Sequence, residues 1–317
     1  MENRVDLHIH TTASDGTCSP IEVVEQAIEL GLSTIAITDH DSINGAMEAT
    51  RYAEGKNIKV ITGVELTAMS DIKQDVGMKW PRGEDMTGDE SEGRLYVNGR
   101  SDLSETHILG YNLDWDKELI DTLTWLSMLR NNRIDMMAEK LAQDYPEVSI
   151  QEIYSIFPGA TLTRSNLAVY LVKLKIASSI SDAFDRFLNE ESKYYVHKLK
   201  LTDEGAISII KFCGGLPVLA HPTLCKNPDR IPLTDEEYER LFDNVTEMGI
   251  MGIEAIYPKN REKDQERFTA MAKERGLFIT GGSDFHGAAK PEVFLGRGID
   301  NNLFVPEEVL DHFVSEY

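Results

Sequence analysis

Short β-branched runs that alternate with helix-patterned segments limit what this chain can become more than any other feature of it. Residues 4–10, 33–38 and 58–66 read as strands, and helix patterns lie between them. Ser19, Pro20 and Glu22 form a capping box with Pro at the first helical position. Val23, Val24, Ala27, Ile28 and Leu30 then make an apolar face that stops at Gly31, and a second helix spans 43–54. Strand–helix–strand at this spacing predicts a parallel sheet, because parallel strands need crossover connections. The alternation returns late in the chain, with helices over 203–212, 235–248 and 260–275 and strands over 216–220, 252–256 and 277–280.

Two segments break the pattern. Residues 68–105 are rich in Asp, Glu and Gly, contain Pro81, and read as a long acidic loop with a small hairpin near 95–97. A strand follows at 106–111. Strand signals then vanish from 115 to 201, where helix patterns cover 119–141, 149–157, 164–175 and 180–188. With about seven strands, the expectation is an α/β fold, a distorted (β/α)7-type barrel carrying an all-α insertion. In this division residues 1–114 and 202–317 build a metal-binding barrel domain, and residues 115–201 build a helical insertion or cap domain.

The eight histidines carry the functional signal through their placement. His8 and His10 lie two apart at the end of the first strand, so both rings point to one face. Asp284 and His286 repeat that spacing after the last strand. His40 follows the second strand, Glu65 ends the third, His107 sits in the fourth, and His221 follows the fifth. Strand ends of a barrel converge on one rim, and a rim supplied with imidazoles and carboxylates from separate strands is a divalent-metal site. A lone strand-end histidine is ordinarily structural; six of eight at such positions is not. Spacing leaves Asp15 open, because Ser14–Asp15–Gly16 is also an ordinary turn signal. Asp39 and Asp41, which flank His40, read as loop carboxylates that orient ligands, and His312 as a surface residue.

Lys plus Arg number 32 against 54 Asp plus Glu, a formal charge of −22, which repels a phosphate backbone and argues against stable binding of duplex nucleic acid. Cys18, Cys213 and Cys225 lack CxxC spacing and cannot build a disulfide framework. No run approaches the ~18 apolar residues that a membrane helix needs, so a cytoplasmic protein without a membrane partner is expected.

The segments DLHIHTTASDGTCSP, ITDHD, GVEL, HILGY, LAHP and GGSDFHG occur in order over residues 6 to 287. This ordered set resembles the PHP (polymerase and histidinol phosphatase) family of metal-dependent phosphoesterases, and within it the stand-alone members with a helical insertion. The resemblance implies three divalent ions (Mn, Fe or Zn). His8, His10, Glu65 and Asp284 would hold one; Glu65 would bridge to a second held by His107 and His221; Asp15, His40 and His286 would hold the third. The departure from the family pattern is the length of the 68–105 loop, which bears on substrate access.

Hydrolysis of a phosphate ester by a metal-activated hydroxide is the implied reaction, with Glu65, Asp284 and His197 expected to carry it. The absence of a GxSxG motif agrees. Arg133 and Arg164 in the helical block are candidate phosphate clamps, and His197 is a candidate phosphate donor or leaving-group acid. Lys198 and Lys259 are weaker candidates, and Trp80 with Tyr96 could stack on a base. A small phosphorylated substrate is expected as the partner, first a nucleoside monophosphate or 3′,5′-bisphosphate. Short oligonucleotides cleaved 5′ to 3′ and histidinol phosphate follow. An amidohydrolase or a silent metal-binding module are the remaining alternatives. The former commonly adds a carboxylated Lys at a strand end, which is missing here, and the latter predicts lost ligands.

Overall fold

The computed structural model describes residues 4–70, 96–98, 104–114, 117–196, 199–226 and 231–313. Among them nine strands form one sheet: β1 (Val5–Ile9), β2 (Thr34–Ile37), β3 (Lys59–Ser70), β4 (Tyr96–Asn98), β5 (Ser104–Tyr111), β6 (Leu199–Thr202), β7 (Leu216–Leu219), β8 (Gly252–Ile256) and β9 (Phe278–Gly281). Seven of them follow in the order β1-β2-β3-β5-β7-β8-β9. The ring nearly closes beyond β9, where Asp284 N–H donates to the His8 carbonyl at 2.8 Å and His10 N–H donates to the Phe285 carbonyl at 2.9 Å. The expected seven-strand α/β barrel is therefore present, in distorted form.

One expectation fails. The sheet is not wholly parallel, because β5 runs antiparallel to both β3 and β7. β3 and β5 are neighbours in the sheet as well as successive members of the seven-strand path, and an antiparallel pair needs no crossover connection. The β3–β5 ladder is long, running from Gly63↔Tyr111 to Ser70↔Ser104. Ala68–Ser70 and Ser104–Glu105 therefore belong to strands and not to the acidic loop. β4 and β6 were also not expected as a pair: among the described residues β4 pairs antiparallel with β6, which itself lies parallel to the overhanging end of β3. β4 lies in the segment read as an acidic loop and β6 at the edge of the block read as helical, and the β3 overhang gives them a ladder to join. The rest of the acidic segment, with Trp80 and the side chain of Tyr96, lies outside the described residues.

The helices follow the sequence closely. α1 (Pro20–Glu29) and α2 (Asn44–Ala53) cover the first strands. The Ser19 hydroxyl accepts from Glu22 N–H at 3.2 Å while the Glu22 carboxylate accepts from Ser19 N–H at 2.7 Å, which closes the expected capping box. α3 (Lys117–Ala142), α4 (Ile150–Ile156), α5 (Arg164–Lys173) and α6 (Ile180–Ala183) make the helical block, and α6 runs on as a π-helical turn over Phe184–Leu188. α7 (Asp203–Phe212), α8 (Asp235–Glu247) and α9 (Glu262–Glu274) complete the barrel layer. No helix among the described residues is long and apolar enough to cross a membrane.

The helical block has its own apolar core, built around Ile134, Met137, Leu167, Tyr170 and Phe187. The main barrel core holds Ile35, Leu66, Ile108, Ile207 and Phe242. Helix α3 contributes to both. Leu119, Leu123 and Leu126 pack into the barrel core, and Ile134, Met137 and Leu141 pack into the helical one.

Phe242 is fully buried on α8 and stacks on Phe268 of α9 at 5.8 Å. Truncation leaves a cavity that packed neighbours only partly fill, so Phe242→Ala is expected to cost about 3–5 kcal/mol. Chemical denaturation at fixed metal concentration measures it, and a loss near zero would mean that α8 and α9 are not packed as described.

Candidate metal centre

The residues converge on one rim because each strand end, or the turn after it, brings its own ligand. β1 presents His8 and His10 on one face, and their Nε2 atoms come within 3.2 Å of each other. The chain then turns back tightly: Gly16 N–H donates to the Thr11 carbonyl at 2.9 Å, and a Cβ on Gly16 would lie 2.4 Å from the His10 carbonyl oxygen. Only glycine fits there, and the turn delivers Asp15 to the cluster. His40 lies beyond β2 and bridges to Glu65 of β3. His107 sits opposite Thr67 near the start of β5. Because β5 is antiparallel, its N-terminal half reaches this rim. His221 and Asp284 follow β7 and β9 with φ of 26° and 57°, in the left-handed region that non-glycine residues avoid.

Glu65 is the centre, at 1% exposure. Its Oε1 lies 2.7 Å from His107 Nδ1 and 3.0 Å from His221 Nε2. Its Oε2 lies 3.1, 3.3 and 3.4 Å from nitrogens of His10, His40 and His8. Asp284 Oδ1 faces His8, His10 and His286 at 3.8, 3.5 and 3.4 Å, and Asp15 Oδ1 lies 3.4 Å from His286 Nε2. All nine sequence candidates (His8, His10, Asp15, His40, Glu65, His107, His221, Asp284 and His286) thus meet in one buried cluster. Their donor atoms fall into four overlapping groups: His10–Asp15–His40–His286, His8–His10–Asp284, His8–Glu65–His221 and His40–Glu65–His107. The grouping differs in part from the three expected sets, since His107 and His221 share Glu65 but sit in separate groups.

The electrostatics suit cations. Burial alone would raise the three carboxyls, but the imidazoles around Glu65 and Asp15, and Lys290 with the imidazoles around Asp284, hold all three well below the usual carboxylate range. Burial lowers His10 to about 4 and His40 well below its ordinary value, so both are neutral ligands at pH 7. Burial also opposes the charge on His107, but the Glu65 carboxylate outweighs it and raises the group to about 9. His8 is raised likewise, by Glu254 and Glu65 against burial. The Nδ1 atoms of His10, His40 and His221 are buried without a hydrogen-bond partner. Two Nε2 atoms turned toward each other at 3.2 Å, together with orphaned ring nitrogens beside ionised carboxylates, are the environment that divalent ions satisfy. The donor set fits metal.

Several supporting residues escaped the sequence reading. Glu254 of β8 accepts from His8 Nδ1 at 2.9 Å and from His221 N–H at 2.8 Å, so one carboxylate fixes two ligands. An acid in the middle of the apolar strand GIEAI was the available signal. Tyr257 O–H and Lys290 Nζ hold the second oxygen of Asp284 at 2.9 and 2.7 Å. Asp6 accepts from Ser283 and Gly296 and so ties down the loop that carries Asp284. Asp39 accepts from Thr11 and Ser14, in the orienting role expected of it. Nothing in the local sequence marked Lys290.

A cleft opens beside the cluster. It is lined by Asp15, His40 and His107 on the barrel side and by Arg130, Arg133, Arg164, Phe184 and Tyr195 on the helical side. Both expected arginines are there. Arg133 Nε donates to the Val196 carbonyl at 2.8 Å, and Arg164 donates to the Leu188 carbonyl at 3.1 Å. Arg130, which the sequence reading passed over, pairs with Asp41 and reaches Thr67. Asp41 is thus a loop carboxylate that pairs with the helical block. Burial and the neighbouring Arg164 lower Arg133 to about 10, which leaves its guanidinium charged at pH 7. His197 and Lys198 lie outside the described residues, and Lys259 is exposed.

The PHP domain family matches residues 6–255. Over 92% of its length this chain is 29% identical to the 5′-3′ exoribonuclease Rnm of Escherichia coli strain K12, covering 88% of that protein. It is 27% identical to a 3′,5′-nucleoside bisphosphate phosphatase of Chromobacterium violaceum, covering 89% of this chain and 87% of that one. The fold is similar to a crystal structure from Bifidobacterium adolescentis described as a metal-dependent phosphoesterase, with TM-score 0.75, 28% identity, and 98% and 95% of the two chains covered.

Replacing Glu254 by Gln keeps its shape but removes the charge that holds His8 and His221. Metal affinity is expected to fall about 10–100-fold with the fold intact. Calorimetric titration with Mn²⁺ reads this directly, and unchanged affinity would leave Glu254 a packing residue only.

Proposed function

The chain belongs to the PHP domain family and is a metal-dependent phosphoesterase, and we propose that it hydrolyses a nucleotide phosphate ester at the cluster of nine. The observation that carries this reading is the cleft itself, with three guanidinium groups facing the Glu65 cluster in a chain of net charge −22. Arginine is a costly residue to hold half-buried without an anion, and phosphate is the anion that its fork matches.

His8, His10, Glu65 and Asp284, Glu65 with His107 and His221, and Asp15, His40 and His286 are the proposed ligand sets, for three ions such as Mn, Fe or Zn. Ions bound there supply an activated water and offset charge on the phosphoryl oxygens. The protein's own contribution is positional. Glu65 fixes the spacing of the imidazoles, and Arg133 and Arg164 clamp phosphate. Arg130 is held by Asp41 so that its remaining N–H groups line the cleft, and His197 serves as leaving-group acid. The rings of Tyr195 and Phe184 lie against these arginines, with Arg133 5.1 Å from the Tyr195 centroid, and offer a surface for a base. The helical block of residues 115–201 acts as the cap.

Arg133 and Arg164 donate to backbone carbonyls and not to carboxylates, and two such groups suit a substrate with two phosphates: a nucleoside 3′,5′-bisphosphate losing its 3′-phosphate. The second reading is 5′-to-3′ cleavage of short oligoribonucleotides, where the same 3′ ester is a diester. It is favoured by the similarity to the exoribonuclease Rnm. In either case the protein acts in the cytoplasm.

With Mn²⁺ present, phosphate release from 3′,5′-ADP should exceed that from 5′-AMP and from bis-p-nitrophenyl phosphate. Faster release of mononucleotide from a 5′-phosphorylated dinucleotide would favour the exonuclease, and cleavage of amides alone would overturn the phosphoesterase. Glu65→Gln should lower kcat by at least about 10²–10³-fold and reduce bound metal, since a neutral amide bridges cations poorly. Normal turnover in that variant would remove Glu65 from the centre of the mechanism.

A further inference from the structure

A second group of buried polar side chains lies on the other face of the sheet from Glu65. Side chains alternate along a strand, so Ala68 and Ser70 of β3 point away from the face that carries Glu65 and Thr67. Ser70 lies directly opposite Ser104 of β5, and the next pair on that face is Ala68 with Thr106. The Thr106 hydroxyl donates to Asp203, the first residue of α7. All four polar residues are buried, at 3, 2, 1 and 1% exposure for Ser70, Ser104, Thr106 and Asp203.

The group is incomplete as it stands. Ser70 Oγ, Ser104 Oγ and Asp203 Oδ2 are buried and none closes a hydrogen bond. The Ser70 hydroxyl sits beside the Asp203 carboxylate without the alignment to bond it. No Lys, Arg or His among the described residues reaches Asp203. Two unpaired hydroxyls and one unpaired carboxylate oxygen, all buried, require a ligand, because buried polar groups in proteins are nearly always bonded.

We propose that Ser70, Ser104 and Asp203 bind one alkali cation, potassium or sodium, with Thr106 holding the second oxygen of Asp203. The donors are hard oxygens, which exclude a soft thiophilic metal. A single carboxylate balances a single positive charge, where calcium or magnesium sites draw on more. Water alone could bond these atoms but leaves the buried charge unbalanced. The ion ties the last residue of β3 to the first residue of β5, two and three positions along the latter from Thr106 and His107. It thereby steadies the strand ends that frame the cleft, at a place separate from the phosphoesterase cluster.

The experiment compares Mn²⁺-loaded protein in potassium, sodium and tetramethylammonium chloride at one ionic strength. Tm should be higher by about 2–4 °C in potassium or sodium than in tetramethylammonium. Asp203→Asn, and the milder Ser104→Ala if the first does not fold, should erase that difference without changing bound manganese. A crystal soaked in rubidium should give an anomalous peak among Ser70, Ser104 and Asp203. Equal Tm in all three salts, a difference that survives in the folding variant, or a rubidium map with no peak at this place would each overturn the proposal, leaving Asp203 as a protonated acid or a water partner.

Discussion

The whole arrangement depends on one carboxylate surrounded by imidazoles. Glu65 meets five histidine side chains within 3.4 Å, and those five arrive from four different strands or strand ends. A charge that deep is tolerable only with its partners in place, so the site and the closure of the barrel stand or fall together. Glu254 extends the same logic outward, because its two oxygens bind His8 and the strained backbone of His221. The left-handed conformations of His221 and Asp284 are held by this network and by Lys290 and Tyr257. Strain concentrated at ligands and restrained by surrounding bonds is how a rigid, ready-made cation site is stored in a fold.

The sequence disclosed chemistry more readily than geometry. Ligand residues were legible because the barrel puts strand ends on one rim, so position along a strand translates into position in space. The two-apart pairs His8–His10 and Asp284–His286 needed no tertiary information. The reversed direction of β5 was hidden, because periodicity records which face a residue takes and not which way its strand runs. β4 and β6 were hidden because their few residues sit inside segments whose composition reads as loop and helix. Lys290 and Arg130 were missed for another reason: a lone cation on a loop or helix has no pattern, and only the folded neighbourhood of Asp284 or Asp41 gives it meaning. Glu254 was the avoidable omission, an acid where every neighbour is apolar.

An acidic protein that handles a phosphate must reverse its field locally, and this one does so with residues from two cores. The barrel contributes oxygen and nitrogen donors, and the helical block contributes guanidinium groups. The Arg130–Asp41 pair joins them, since Asp41 stands next to His40 and Arg130 stands on α3. Low-dielectric walls around the cleft strengthen each of these charges relative to water.

Helix α3 has its first turns in one hydrophobic core and its last turns in the other. At 1.5 Å per residue its 26 residues form a strut about 40 Å long, and Arg130 and Arg133 sit near its middle. Lifting those two arginines away from the cations below would mean melting helical turns instead of rotating about a pivot. The separation between these guanidinium groups and the Glu65 cluster is therefore set by a stiff element anchored at both ends, which fixes the width of the cleft.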